Sequence, residues 1–245
     1  MRLLPFALAL LCWAPPAFAD TVLITGSDRG LGLEFARQYA AQGWDVIATA
    51  RNPDGASDLK ALAAGNKKVV IEKLDVSKDA DVATLAVKYK GKPIDVLLNN
   101  AGVTGKTATQ HFGSYNRKDF LEAMDVNAFG AIAVSQAFVE NVAMSKQKKI
   151  VAITTTLGSI ANAARATAPF YYRVTKSALN MSMQALGTEL RPKGIIVAVC
   201  SPGAMDTAII AAFKSSGLTP TAKGAPPAEA AAKVDRKSTR LNSSH

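Results

Sequence analysis

The segment that decides the fold is TVLITGSDRGLG, residues 21–32. Its first part, Thr21–Thr25, is a short run of apolar and β-branched residues, and a helical pattern begins at Leu31. This order predicts a buried strand, a tight glycine turn and a helix. Backbone amides at a helix start favour anions, and glycine lets a phosphate approach the backbone closely. The segment therefore indicates a site for a dinucleotide pyrophosphate. Ordinary loop glycines are the alternative, because this spacing alone is only moderately specific.

The rest of the chain continues the alternation of strands and helices. Apolar runs predict six strands, at Thr21–Thr25, Asp45–Ala50, Val69–Lys73, Ile94–Asn99, Ile150–Thr154 and Ile195–Cys200. Helical patterns lie at Leu31–Gln42, Asp58–Ala64, Asp79–Tyr89, Asp119–Met144 and Tyr171–Leu190, with a last short helix near Ala228–Val234. Most of the strands are nearly continuously apolar, as strands covered on both faces must be. The order predicts an α/β fold, a doubly wound parallel sheet of Rossmann type with helices on both faces.

Two arginines lie in the loops that would surround the ribose of a bound dinucleotide. An acidic residue after the second strand would bind a free ribose hydroxyl and repel a 2′-phosphate. Here the second strand ends at Ala50 and is followed by Arg51, and Arg29 lies in the glycine turn. Both side chains favour NADP(H). Each is otherwise an ordinary solvated arginine, so this alternative stays open.

A tyrosine and a lysine are spaced for acid–base chemistry. Tyr172 and Lys176 are four residues apart at the start of a predicted helix, which places them on one helix face. A free tyrosine titrates near pH 10, so a nearby cation is needed to stabilise its phenolate near neutral pH. In isolation the pair is more often helix packing plus a surface lysine. However, the sequence Asn99-Asn100-Ala101-Gly102 closes the fourth strand, and doubly wound sheets bind ligands at the carboxyl ends of their strands.

These motifs together resemble the short-chain dehydrogenase/reductase family over about residues 20–230. The shared patterns are T-G-x-x-x-G-x-G, N-N-A-G, an asparagine in the inner helix, Y-x-x-x-K and P-G-x-x-x-T. The stretches at 157–160 and 172–181 resemble the carbonyl reductase branch that includes sniffer and the bacterial C-factor. The resemblance implies hydride transfer between nicotinamide and a small carbonyl or alcohol, with Tyr172 as the general acid or base.

The resemblance also assigns roles to individual residues. It implies that Asn127 holds the water of a proton relay to Lys176, that Asp75 and Val76 bracket the adenine, and that Pro202, Gly203 and Thr207 lie near the nicotinamide. Alternatively, Asp75 merely caps a loop and Pro202-Gly203 merely forms a turn. The full predicted cofactor set is Gly26, Ser27, Arg29, Gly30, Leu31, Gly32, Arg51, Asp75, Val76, Asn99, Ala101, Gly102, Tyr172, Lys176, Pro202, Gly203 and Thr207.

One position departs from the family pattern S-x-x-G after the fifth strand. The frame reads Thr155-Thr156-Leu157-Gly158, so Thr155 stands where the family usually has serine. A threonine hydroxyl can still donate to a substrate oxygen, although its methyl group narrows the pocket. Thr156 and Ser159 remain as alternatives; Ser159 lies at a common family spacing before Tyr172. The predicted catalytic set is Asn127, Thr155, Tyr172 and Lys176.

Two other functions stay open at this point. A non-catalytic nucleotide-binding or interaction module on the same fold would explain the threonine at 155. NAD-linked alcohol oxidation by the same site would differ only in showing no preference for the 2′-phosphate. The loop at 204–226 predicts a lid or substrate loop, whose small and apolar residues favour a small, fairly apolar aldehyde or ketone.

Both ends of the chain differ from the predicted domain at 20–234. Arg2, the apolar run Leu3–Trp13 and the ending Ala17-Phe18-Ala19 are typical of a secretory signal peptide over 1–19. This predicts export, with no stable membrane anchor after cleavage; a non-functional leader would leave the protein cytoplasmic. The polar segment 235–245 looks foreign to the fold. The family's seventh strand is missing from this pattern, so we expect poor stability. A complete chain is expected to form a homo-oligomer.

Charge and composition exclude several classes of partner. Lysine and arginine exceed aspartate and glutamate by 29 to 19, but the tightest groups, at 67–68 and 146–149, precede predicted strands. Solvated edges explain them better than a nucleic-acid groove, so no nucleic acid is expected. After leader cleavage only Cys200 would remain, which excludes an intrachain disulfide. His111 would be the only histidine before the tail, a surface residue, and no spacing predicts a metal site.

Overall fold

The computed structural model describes residues 19–161 and 169–203. Within these ranges six strands form one sheet: β1 Thr21–Ile24, β2 Asp45–Ala50, β3 Val69–Lys73, β4 Val96–Asn99, β5 Lys149–Ile153 and β6 Ile196–Cys200. All neighbouring pairs are parallel, in the order β3-β2-β1-β4-β5-β6. The strand order reverses between β1 and β4, which is where doubly wound sheets open a ligand crevice. The predicted fold class is confirmed.

Helices cover both faces of this sheet. They are α1 Gly30–Ala41, α2 Ser57–Gly65, α3 Asp79–Lys88, α4 Arg117–Met124, α5 Gly130–Ala143 and α6 Phe170–Leu190. One core layer packs α1 and α2 against the sheet, and the other packs α3, α5 and α6 against the opposite face. Among the described residues, no helix combines the length and apolar character needed to cross a bilayer.

The central strand β1 anchors both core layers. Val22 and Ile24 pack in the layer of α1, Leu23 packs in the other layer, and all three are fully buried. Complete burial of such a side chain contributes about 1.5–3 kcal/mol. Because β1 is held from both sides, the glycine turn that follows it starts from a rigid position at the carboxyl edge of the sheet.

The predicted single helix Asp119–Met144 is wrong in two respects. The helix begins earlier, at Arg117, and a π-helical turn at Asp125–Phe129 separates α4 from α5. The side chain of Asn127 is bonded to neighbouring segments at this turn, and a Cβ on Gly130 would lie 2.8 Å from Val76 Cγ2. These tertiary contacts favour one extra residue in the helical turn at Asp125–Phe129. The period of apolar residues in the sequence does not show this insertion.

Two smaller corrections concern the amino edge of the sheet. Strand β4 begins at Val96 rather than Ile94, because the Ile94 amide donates to the carbonyl of Asn141 instead of to a neighbouring strand. Lys149 was expected on a solvated edge, but it is 4% exposed and its Nζ donates to Gln147 Oε1 at 3.0 Å. The other lysines of the 67–68 and 146–149 groups are exposed or half-buried, as predicted.

Asp95 joins several segments at this amino edge of the sheet. Its buried carboxylate accepts backbone N–H bonds from Thr21 at 3.0 Å, Lys146 at 3.1 Å and Gln147 at 3.3 Å. We expect Asp95→Ala to lower the free energy of unfolding by about 3 kcal/mol, because hydrogen bonds to a charged group are lost together and the amides stay buried. Urea unfolding measures this change. Asp45→Ala, at an exposed position on β2, is the control, and equal midpoints for both variants would contradict the prediction.

Some predicted features lie outside the described residues. These are the leader, Thr207, the loop at 204–226, the helix near Ala228–Val234 and the tail. Cys200 is buried at the end of β6, and His111 is exposed, as expected of a surface residue.

Candidate active site

The glycines of the turn between β1 and α1 are required either by their backbone angles or by close packing. Gly26 and Gly30 have φ values of +68° and +56°, a region that side chains disfavour. A Cβ on Gly32 would lie 2.1 Å from the carbonyl oxygen of Gly26 and 2.5 Å from Asn100 Nδ2. Arg29, at the N-cap position of α1, gives the first helical turn no side-chain hydrogen bond. The helix start therefore suits an anionic group supplied by a ligand.

Two residues that the sequence motifs contain, but that were not predicted as site residues, lock this turn to β4. Thr25 Oγ1 accepts from the backbone N–H groups of Asn100, at 2.9 Å, and Ala101, at 3.0 Å. The Asn100 side chain donates back to the carbonyls of Thr25 and Gly26, both at 2.9 Å. Their signal was present, since both residues stand inside the quoted motifs. Their pairing requires β1 and β4 to be neighbours, which only the fold decides.

The other predicted cofactor residues also lie at the carboxyl edge. Arg51 is exposed directly after β2, and Arg29 is exposed beside Asp28, with 3.3 Å between Arg29 Nε and the carboxylate. Asp75 follows β3, and its carboxylate accepts from the N–H and the hydroxyl of Ser77. Its side chain therefore caps the loop after β3, as the alternative from the sequence proposed. Ser27 and Leu31 are buried in the turn, and Val76 is buried next to Gly130. The Asn99 side chain donates to Ser135 Oγ, and Pro202 and Gly203 follow β6.

Tyr172 and Lys176 lie buried on the face of α6 that packs on the sheet. Lys176 Nζ donates to the carbonyl of Ile153 at 2.8 Å and lies 5.8 Å from the centroid of the Tyr172 ring. Burial raises the pKa of Tyr172 to about 12 and lowers the pKa of Lys176 to about 8. At neutral pH the tyrosine therefore keeps its proton and the lysine keeps its charge. The sequence predicted that Lys176 would stabilise the Tyr172 phenolate near neutral pH, but burial decides the pKa of Tyr172 and raises it. The pair is therefore suited to donate a proton to a substrate oxygen.

Asn127 joins this pair from the π-helical turn. Its Oδ1 accepts from the N–H of Val103, and its Nδ2 donates to the Val103 carbonyl, both at 2.7 Å. The same Nδ2 donates to Thr175 Oγ1 at 2.9 Å, which ties the turn to α6. Asn127 Oδ1 and Lys176 Nζ both approach the position of a Cβ on Gly102, at 3.3 Å and 3.5 Å. Asn127 and Lys176, almost fifty positions apart in the sequence, thus both lie beside Gly102.

Thr155 lies where β5 ends, in an extended conformation with φ −147° and ψ 154°. Its Oγ1 accepts from the N–H of Leu157 at 3.3 Å. A Cβ on Gly158 would lie 2.9 Å from Lys176 Cβ, so this glycine is required for the loop to pack against α6. The alternatives at this loop differ in environment, since Thr156 is exposed and Ser159 is half-buried. The packing of Gly158 supports the frame that assigns the serine position to Thr155.

The doubly wound sheet has a glycine turn, an N-N-A-G segment and a Tyr–Lys pair at one edge. This combination is typical of dinucleotide-dependent oxidoreductases. The chain belongs to the short-chain dehydrogenase family, whose model matches residues 20–216. A relative described as short-chain dehydrogenase/reductase atnB, from Arthrinium sp, is 30% identical over 196 residues, covering 75% of this chain and 74% of the relative.

Solved structures agree with the fold and with the branch. NADPH-bound carbonyl reductase from chicken fatty liver has a TM-score of 0.79 and 26% identity, covering 90% of this chain and 91% of that one. The carbonyl reductase Sniffer of Caenorhabditis elegans, described as putative, has a TM-score of 0.66 and 26% identity, covering 76% of this chain and 85% of that one. C-signal of Myxococcus xanthus is 32% identical over 115 residues, 47% of this chain and 68% of C-signal. The predicted resemblance is confirmed.

Proposed function

We propose that this protein is an NADP(H)-dependent oxidoreductase that transfers hydride between nicotinamide and a small carbonyl or alcohol substrate. The observation that carries the proposal is the buried Tyr172–Lys176 pair, which lies on one helix face at the same sheet edge as the glycine turn. A protonated tyrosine next to a charged lysine is a general acid for a carbonyl oxygen.

The residues at the edge fit the cofactor. Gly26 and Gly30 have positive φ values, Gly32 has no space for a Cβ, and the start of α1 suits the pyrophosphate. Arg29 and Arg51 are exposed at the two loops where a 2′-phosphate would lie. When bound, NADPH would supply the hydride. The similarity to an NADPH-bound carbonyl reductase supports the choice of NADP(H) over NAD.

Each predicted catalytic residue has a distinct task in this proposal. Tyr172 gives its proton to the substrate oxygen, and Lys176 stabilises the phenolate that remains. The Thr155 hydroxyl accepts from Leu157 N–H, which leaves its own proton to donate to the same substrate oxygen. Asn127 holds the water through which Lys176 recovers protons, consistent with their shared approach to Gly102. Together these groups position the carbonyl and stabilise charge on its oxygen.

Arg51 is the residue on which the preference for the 2′-phosphate depends most directly. We expect Arg51→Ala to weaken NADPH binding by about 10- to 100-fold, because a hydrogen bond to a charged phosphate contributes about 1.5–3 kcal/mol. Binding of NADH should change little. Fluorescence titration with each cofactor measures both constants, and Arg191→Ala, at the opposite edge of the sheet, is the control. Equal losses for NADPH and NADH would contradict this role.

The proposal is tested by titrating the full chain with NADPH and NADH and by screening a panel of small aldehydes and ketones for NADPH oxidation. We expect binding that depends on the 2′-phosphate and turnover of at least one apolar carbonyl. A folded sample that binds neither cofactor would overturn the proposal and favour the interaction module. Binding without a preference for the 2′-phosphate, together with alcohol oxidation, would favour the NAD-linked reaction.

A further inference from the structure

The loop that carries Thr155 is tied to α6 by a set of hydrogen bonds on both sides of this residue. Before it, Thr154 Oγ1 donates to Asn180 Oδ1 at 2.6 Å. After it, the carbonyl of Gly158 accepts from Ser177 Oγ at 2.8 Å and from Asn180 Nδ2 at 3.3 Å. Asn180 is therefore bonded to both ends of the segment 154–158. No sequence motif singled out Asn180 or Thr154 for this purpose.

The side-chain amide of Asn180 is suited to this double contact. Its oxygen accepts from a hydroxyl while its nitrogen donates to a carbonyl, and no carboxylate or apolar side chain of the same size does both. Between the two contacts, Gly158 packs so closely that a Cβ would lie 3.2 Å from Asn180 Nδ2. The segment 154–158 consequently has little freedom to move along α6.

The same helix carries the proposed general acid. Tyr172, Lys176 and Asn180 follow each other at four-residue intervals on α6, so they lie on adjacent turns near one face. A helix is stiff over two turns. Whatever fixes the loop to Asn180 therefore also fixes the distance between the Thr155 hydroxyl and the Tyr172 hydroxyl. Both must meet one substrate oxygen for the reaction to proceed.

We propose that Asn180 and Thr154 are positioning residues that set the direction of the Thr155 hydroxyl toward the substrate oxygen, an inference that rests on the proposed function. The effect falls mainly on the chemical step, because Asn180 and Thr154 are not in the predicted cofactor set and the pyrophosphate turn lies elsewhere, between β1 and α1.

The first test compares the wild type with Asn180→Leu, which removes both contacts at similar size. With para-nitrobenzaldehyde or the best carbonyl of the panel, we expect kcat to fall at least about tenfold, since small misplacements of reacting groups cost that much or more. The dissociation constant for NADPH should change less than twofold, as expected for a change confined to the β5–α6 side. Gln184→Leu, exposed one turn further along α6, is the matched control and should leave kcat unchanged.

A second set separates positioning from a structural role. Thr154→Val should reproduce the loss in kcat, and Thr154→Ser, which keeps the hydroxyl, should restore it. In a Thr155→Val background, adding Asn180→Leu should change kcat little further, because the hydroxyl that it positions is already gone. A further full loss in that background, or a Thr154→Ser variant as poor as Thr154→Val, would overturn the inference.

The outcomes for this inference and for the proposed function are distinct. An active wild type with an unchanged Asn180→Leu variant would overturn only the positioning role. A wild type that binds NADPH but reduces no carbonyl would overturn both. Normal cofactor binding together with a selective loss of kcat in Asn180→Leu and Thr154→Val would establish the role of the tether.

Discussion

Replacing Tyr172 by phenylalanine is expected to lower kcat for carbonyl reduction by about 10²- to 10⁴-fold, the range that general acid catalysis contributes. The physical reason is the loss of the proton that the hydroxyl donates. Because burial raises the pKa of Tyr172 to about 12, the tyrosine stays protonated across the neutral range and has a proton to give. Phenylalanine keeps the ring and its packing but has no proton to give. Cofactor binding should therefore survive the change.

The neighbouring residue provides a matched control for this substitution. Tyr171 is also buried, and its hydroxyl is bonded to the backbone N–H of Asn116 at 2.6 Å and to the Asn116 carbonyl at 3.2 Å. Tyr171→Phe removes the same atom one position away and should lower stability without a comparable loss in kcat. Steady-state kinetics and thermal unfolding of both variants separate the two effects. Equal losses in kcat would mean that Tyr172 acts through packing and not through its proton.

The pH dependence of the wild type offers a related measurement within the same experiment. Burial lowers the pKa of Lys176 to about 8, so the lysine is charged below that pH and loses its charge as pH rises through it. Tyr172 remains protonated over the same interval. Since kcat/KM for NADPH reports ionisations of the free enzyme, it should fall as pH rises through about 8. The NADPH affinity of Tyr172→Phe should decrease over the same pH range, because this variant retains Lys176.

Gly32→Ala is the second substitution with a large expected effect. The added Cβ would lie 2.1 Å from the Gly26 carbonyl oxygen, so the turn or the start of α1 must shift. We expect a loss of about 1–3 kcal/mol in the free energy of unfolding, typical of overpacking. We also expect at least about a 100-fold loss in NADPH affinity, because the pyrophosphate depends on the backbone amides of this turn.

A second glycine tests whether this effect is specific to the turn. Gly65, the last residue of α2, has no positive φ, and a Cβ there would meet nothing within 4 Å. Gly65→Ala should therefore be neutral in both urea unfolding and NADPH titration. If Gly32→Ala bound NADPH as tightly as the wild type, the turn would not be the pyrophosphate site.

The strands and most helices were predictable because their signals are local. Each strand is a short apolar run between turn residues, and parallel strands buried on both faces carry that pattern with little interruption. The glycine turn and the Tyr172–Lys176 spacing were predictable for the same reason, since each function needs a fixed interval along one element. Boundaries moved by one or two residues, as for β4, which begins two residues late because the Ile94 amide is bonded to α5.

The class of the fold, the edge of the sheet with the candidate site and the residue types suited to the chemistry could all be predicted from local patterns. Which of these residues meet depends on the tertiary packing. A π-helical turn lets Asn127 bond to Thr175, next to Lys176. The Thr25 hydroxyl accepts from the Asn100 N–H between the neighbouring strands β1 and β4, and Asn180 is bonded to the loop of Thr155. The physical reason is that these contacts join segments far apart in the chain. Their geometry depends on packing, which no local period records.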